Sequence, residues 1–203
     1  MKKWGIVMVA AWGAVAVAQS PSLSRRQAEF LGTVIEVAAT NTTQALAMVE
    51  AEIGVEGERP REPLPVPYHL VAAQLYSAEG LFTNAVAQFR IVVRQEPNNA
   101  EALVGLGRAL LGTGQSVSAE GAYRAALLAA EGDALRDGAR AGLIHALVAQ
   151  SRLAEAEAAL AEHITQRPED PALRRLMAQI REARGDAEGA AVARECAERL
   201  EEK

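Results

Sequence analysis

The stretch PYHLVAAQLYSAEGLFTNAVAQFRIVVRQE, residues 67–96, is echoed 34 residues later by EALVGLGRALLGTGQSVSAEGAYRAALLAA, residues 101–130. Superposed, Ala73 falls on Gly107, Tyr76 on Leu110, Gly80 on Gly114, Ala85 on Ala119 and Phe89 on Tyr123. A third copy follows after a three-residue insertion at Glu131-Gly132-Asp133, with Leu143, Leu147, Ser151, Ala156, Leu160 and Pro168 in the matching places. Self-similarity at such a period is the mark of stacked supersecondary units, each too small to bury its own apolar face.

Each unit reads as two amphipathic helices. Leu70, Ala73, Leu75 and Tyr76 carry helical apolar spacing in the first, and Ala85, Val86, Phe89 and Val93 carry it in the second. Gly80 supplies the turn, because glycine takes positive φ without steric cost. Thr83 is the expected N-cap of the helix that follows. Pro97 and Pro168 close their units, since proline cannot continue a helix interior. Asp133 is expected to cap a longer first helix in the third unit, and Asp170-Pro171 a cleanly started fourth.

Small residues at 73, 85, 107, 119 and 156 beside large ones at 76, 89, 123 and 160, with a terminal proline, resemble the tetratricopeptide repeat. The resemblance runs from Val66 to about Lys203. It implies an all-α, right-handed superhelical solenoid of antiparallel helix pairs, about four of them, preceded by an N-terminal helical hairpin. The fourth copy fits at Ala178, Gly185 and Ala190 but places Arg181 and Arg194 where large apolar residues are expected. It reads as the polar cap that an open-ended solenoid requires.

The chain divides into a leader, 1–18; an N-terminal segment, 19–53; a linker, 54–67; and the repeat domain, 68–203. Lys2 and Lys3, the apolar run from Trp4 and the Ala16-Val17-Ala18 triplet have the form of a secretory signal peptide. The leader resembles bacterial export signals, and the expected location is the periplasm. The alternative is an uncleaved anchor in the inner membrane, with the protein facing the periplasm. Loss of the leader leaves 19 of the 21 basic residues against 26 acidic ones, so the net charge goes from −5 to −7. An acidic chain without basic blocks excludes nucleic acid as the expected partner. Cys196 is the only cysteine, so no internal disulfide forms.

Ser24 with Gln27 makes a capping box, and Phe30, Val34, Val37 and Ala38 line one helical face. Thr40 to Thr43 interrupt the pattern, and Ala45, Leu46, Val49 and Ile53 resume it. With Leu31 and Ile35 this segment fits a degenerate fifth repeat as well as it fits a simple hairpin. The alternating Pro60, Pro63, Pro65 and Pro67 favour extended polyproline II, hence a semi-rigid spacer.

Catalytic chemistry has no constellation to rest on. His69, His145 and His163 are scattered and form no metal-spaced cluster, so no metal or cofactor is expected. Gly105, Gly107, Gly112 and Gly114 complete no phosphate-loop pattern and suit helix packing. Glu169-Asp170 and Arg184-Gly185-Asp186 fall on repeat junctions and turns. The expectation is a non-enzymatic scaffold that binds another protein or peptide segment. A self-associating structural subunit is the alternative.

The resemblance implies a concave groove lined by the first helix of each pair. That assigns Leu70, Gln74 and Ser77 from the first unit, and Glu101, Val104, Arg108 and Leu111 from the second. Ala141, His145 and Val148 follow from the third, and Arg175, Gln179 and Glu182 from the fourth. The lysine and asparagine clamp with which some relatives hold a C-terminal carboxylate is absent. The expected ligand is an apolar segment with an acidic group for Arg108.

Overall fold

Four turns set the architecture, and their hydrogen bonds repeat. Leu81 N–H donates to Tyr76 C=O at 2.8 Å, Gln115 to Leu110 at 2.9 Å, Arg152 to Leu147 at 3.0 Å and Asp186 to Arg181 at 2.9 Å. Each closes a first helix by a left-handed residue, Gly80, Gly114, Ser151 or Gly185, as the Schellman motif requires. Their spacings are 34, 37 and 34 residues, so the insertion falls wholly between the second turn and the third. Ser151 does at φ 59° what glycine does in the other three units.

The computed structural model describes residues 23–53 and 64–202. The expected leader and the prolines at 60 and 63 lie outside the described residues. Ten helices are described: α1 Arg25–Ala38, α2 Thr42–Ile53, α3 Val66–Ala78, α4 Phe82–Gln95, α5 Ala100–Gly112, α6 Ser116–Ala129, α7 Asp133–Ala149, α8 Leu153–Gln166, α9 Pro171–Ala183 and α10 Ala187–Glu201. Each packs on its chain neighbours, and the first helices also meet one another, α1 on α3, α3 on α5 and α5 on α7. The protein is therefore an all-α solenoid of stacked helix pairs. α1 and α2 form the first pair, with Leu31, Val34, Ala45 and Val49 fully buried in the core that the repeats share.

Local details follow the sequence in part. Ser24 and Gln27 form the capping box. Asp170 accepts from Ala172 N–H at 2.9 Å ahead of Pro171, and Asp186 from Gly189 N–H at 2.9 Å. Thr83 is not a cap: Leu81 holds that position without a side-chain bond, since the turn's own backbone bonds start the helix. Asp133 is not a cap either. Gly132 precedes the helix, and Asp133 in the first turn accepts from Arg136 at 2.8 Å. Val66 and Pro67 belong to the first turn of α3, where proline is tolerated, so the helix begins before the expected linker ends.

The aromatic side chains explain the glycines. Tyr123 of α6 lies between Gly107 of α5 and Gly142 of α7; a Cβ built on either glycine would overlap its ring. Gly105 faces Phe89 and Gly112 faces Phe82 in the same way. Glycine here makes room for a ring, not a phosphate.

The insertion lengthens α7 to 17 residues, where α3, α5 and α9 have 13 each. The core divides along this helix. Ala139 and Ala146 face the large cluster that runs back to α1, whereas Ile144 and Leu147 belong to a second cluster with α8, α9 and α10. At the far end Arg181 binds Glu157 at 2.8 Å and Gly189 C=O at 3.3 Å, and Arg194 pairs with Glu182 at 3.2 Å. Arg194 is thus satisfied within the polar closing pair, and Arg181 there and by Glu157 of α8. Arg184 of the Arg-Gly-Asp tripeptide also pairs with Glu157.

Candidate protein-binding groove

The first helices α3, α5 and α7 lie side by side, and Gly138 of α7 brings its backbone over Val104 of α5. The residues assigned to the groove separate by depth. Leu70 at 2 % and Val104 at 4 % exposure are buried in the wall and present no surface, Val104 beneath Gly138 of α7. Gln74, Ser77, Glu101, Leu111, Ala141 and Val148 are half-buried, and Arg108, His145, Arg175, Gln179 and Glu182 are exposed. Ser77 returns its hydroxyl to Ala73 C=O at 2.8 Å. Arg175 is taken by Glu201 of α10, and Glu182 by Arg194.

Among the accessible residues a paired strip stands out. Arg108 and Leu111 on α5 correspond, 37 residues later, to His145 and Val148 on α7. Adjacent units therefore offer the same arrangement, a cation or imidazole with an aliphatic side chain one turn beyond it. Tyr123 lies behind the strip. Burial pushes its hydroxyl up to about 12, an effect that the charge of Arg108 partly offsets.

The neighbouring Gln74–Glu101 pair joins α3 to α5. Gln74 Nε2 donates to Glu101 Oε1 at 2.5 Å. Burial pushes the Glu101 carboxyl up to about 7, against the opposing effect of that hydrogen bond. The Gln74 oxygen, Oε1, is buried and has no donor among the described residues.

One charged network escaped the sequence reading. Asp137 of α7 lies 3.1 Å from Arg167, 3.4 Å from His163 Nε2 and 3.5 Å from Arg140. Subtracting 37 places this set on Ala100, Leu103, Ala126 and Ala130, all of them buried and apolar in the second unit. The internal alignment therefore carried the signal, a whole apolar set exchanged for an ionic one. Among the described residues, both ring nitrogens of His163 lack a hydrogen-bond partner at 2 % exposure. A second knot centres on Glu120, which accepts from Arg124, from Gln150 at 2.9 Å and from Arg152 at 2.5 Å, and these donors hold its carboxyl below the usual range.

Residues 70–134 match the tetratricopeptide-repeat family. The whole described fold agrees with it. MamA 41-end from Desulfovibrio magneticus RS-1 superposes with a TM-score of 0.76 over 89 % of this chain and 98 % of that one, at 19 % identity. The 70–134 segment is a tetratricopeptide repeat, set in a described fold of the same kind. A structure titled MamA RS-1 ArsTM double mutant gives 0.75 over 89 % and 97 % at 18 % identity. Another, titled Crystal structure of MamA, gives 0.71 over 83 % and 94 %, also at 18 %. Identities this low speak to the fold. No curated protein sequence matches the chain.

Proposed function

We propose that the protein is an exported, non-enzymatic scaffold of the bacterial cell envelope that holds a segment of another protein along the first helices of its repeats. The observation that carries this reading is the paired strip, Arg108 with Leu111 and His145 with Val148, exposed or half-exposed on adjacent first helices. A partner segment laid across it covers aliphatic surface and meets Arg108 with a carboxylate, a charge-assisted contact of the stronger kind. The leader-like residues 1–18 support a periplasmic location, with retention in the inner membrane as the alternative that N-terminal sequencing of exported protein decides. A mature start at Gln19 excludes retention.

The groove itself is tested by site-specific photocrosslinking from position 145 in the native envelope, with and without Arg108→Glu. One captured protein, lost with Arg108→Glu, is the expected result. Capture that is unchanged by the charge reversal refutes the groove. Light scattering of the purified chain separates a foreign partner from a second copy, since a monomer at micromolar concentration removes self-association.

A further inference from the structure

The strongest unexplained feature of the groove wall is an excess of acceptors. Glu101 stands in the first turn of α5, half-buried, and its only hydrogen bond among the described residues comes from the Gln74 amide. The oxygen of that same amide is buried and meets no donor among them. Ionisable groups on the packed neighbours are engaged elsewhere: His69 of α3 with Gln88 of α4, Arg136 of α7 with Asp133, and Arg140 with Asp137. No basic side chain among the described residues offsets the carboxylate, and burial alone dominates its titration. The Glu101 carboxylate thus has more acceptor capacity than the single Gln74 bond fills. A buried acceptor without a donor costs free energy that an incoming N–H recovers.

We infer that the Gln74–Glu101 notch takes an arginine or lysine side chain of the bound segment, so that the groove reads a basic residue there and an acidic one at Arg108. This rests on the proposed groove and makes its partner specific. An arginine suits the site best, because its planar fork meets a carboxylate with two parallel N–H donors. The spacing follows from the helix. Glu101 and Arg108 are seven residues apart on α5, about 10 Å along its axis. In a polyproline II segment, side chains at i and i+3 return to one face about 9 Å apart. The partner chemistry is therefore an extended segment with a basic and an acidic residue three positions apart, set among aliphatic ones.

Cation binding needs the carboxylate, so it drives the proton off Glu101. Affinity for the basic residue is full above the titration of Glu101 and is lost as the pH falls below about 7.

The test uses the mature chain and two acetylated decapeptide amides. One carries Arg and Glu three positions apart in an Ala/Leu/Pro background, and the other has Gln in place of Arg. Binding by fluorescence anisotropy at about pH 8.5 is expected to favour the Arg peptide about tenfold. The preference is expected to fall below about threefold at about pH 5.5, and in Glu101→Gln at either pH. Arg108→Ala is expected to weaken both peptides alike. Equal binding of the two peptides, still weakened by Arg108→Ala, overturns this inference and leaves the groove standing. Failure of both peptides to bind, or indifference to Arg108→Ala, overturns the groove and the inference with it. The carboxyl 13C resonance of Glu101 supplies a readout that needs no peptide. A midpoint near 7 in the free protein is expected, moving down with saturating Arg peptide. A midpoint in the ordinary carboxylate range of the free protein overturns the inference.

Discussion

Replacing Ser151 by glycine should stabilise the protein, although it removes a side chain. Ser151 holds φ 59°, the left-handed conformation that glycine holds at φ 78°, 77° and 84° in the other three units. A residue with a Cβ loses about 1–2 kcal/mol in that region. Glycine returns this but is freer in the unfolded chain, which costs about 0.5–1 kcal/mol. The turn's bonds, Ser151 N–H to Val148 C=O at 2.9 Å and Arg152 N–H to Leu147 C=O at 3.0 Å, are backbone bonds and survive the change. The net is a gain of about 0.5–1 kcal/mol, or roughly 2–4 °C per kcal/mol in Tm for a chain of this size. Thermal unfolding by circular dichroism measures it, with urea titration as the check on ΔG. Gly114→Ser is the mirror experiment and should cost about 1 kcal/mol. A Ser151→Gly variant no more stable than the parent, alongside a destabilised Gly114→Ser, refutes the argument that the third turn is strained in the way the others are relieved.

Gly142→Ala forces a methyl into the Tyr123 ring and should cost about 1–3 kcal/mol, with much of the loss recovered when Tyr123→Leu is added; urea melts of the two single variants and the double variant give the coupling. The folded-state pKa of Glu101 lies above its unfolded value, so its contribution to stability is present below about pH 4.5 and is lost as the pH rises through about 7. Glu101→Gln should therefore match the parent in acid and exceed it at about pH 8 in a series of melts; equal stability at both pH values contradicts this. Glu120 is displaced in the other direction by Gln150, Arg124 and Arg152, so its contribution is present above the ordinary carboxylate range and is lost as the pH falls through its lowered folded-state value. Glu120→Ala should cost about 2 kcal/mol at neutral pH, because Gln150 and Arg152 lose a shared charged acceptor, and the deficit should shrink in acid melts.

The solenoid was legible because its cause is periodic. Turn residues at Gly80, Gly114, Ser151 and Gly185 and the small–large pairing at each helix crossing are spacings along the chain, and stacking follows from them. Two caps were misassigned for a local reason: at Thr83 the backbone turn already starts the helix, and at Asp133 the carboxylate turns to Arg136. The groove was half legible. A stripe on a helix gives a direction but not a depth, so Leu70 and Val104 belong to the stripe yet are buried in the wall. The network of Asp137, Arg140, His163 and Arg167 was present in the 37-residue register, but matching apolar positions had been sought, and this set departs from them.

By itself the sequence determined the class of fold, the four units from Val66 onward, the position of the insertion and the polar closing pair, and left open whether residues 24–53 join the stack. Each of these is decided by contacts between residues close in the chain or one repeat apart. Tertiary structure alone decided which groove residues reach solvent, that Tyr123 needs glycine on two different helices, that the core divides along α7, and that Gln74 and Glu101 meet with an acceptor to spare. Those depend on how closely one helix approaches another. That distance is set by the packed volumes of side chains far apart in the sequence, which no spacing along the chain encodes.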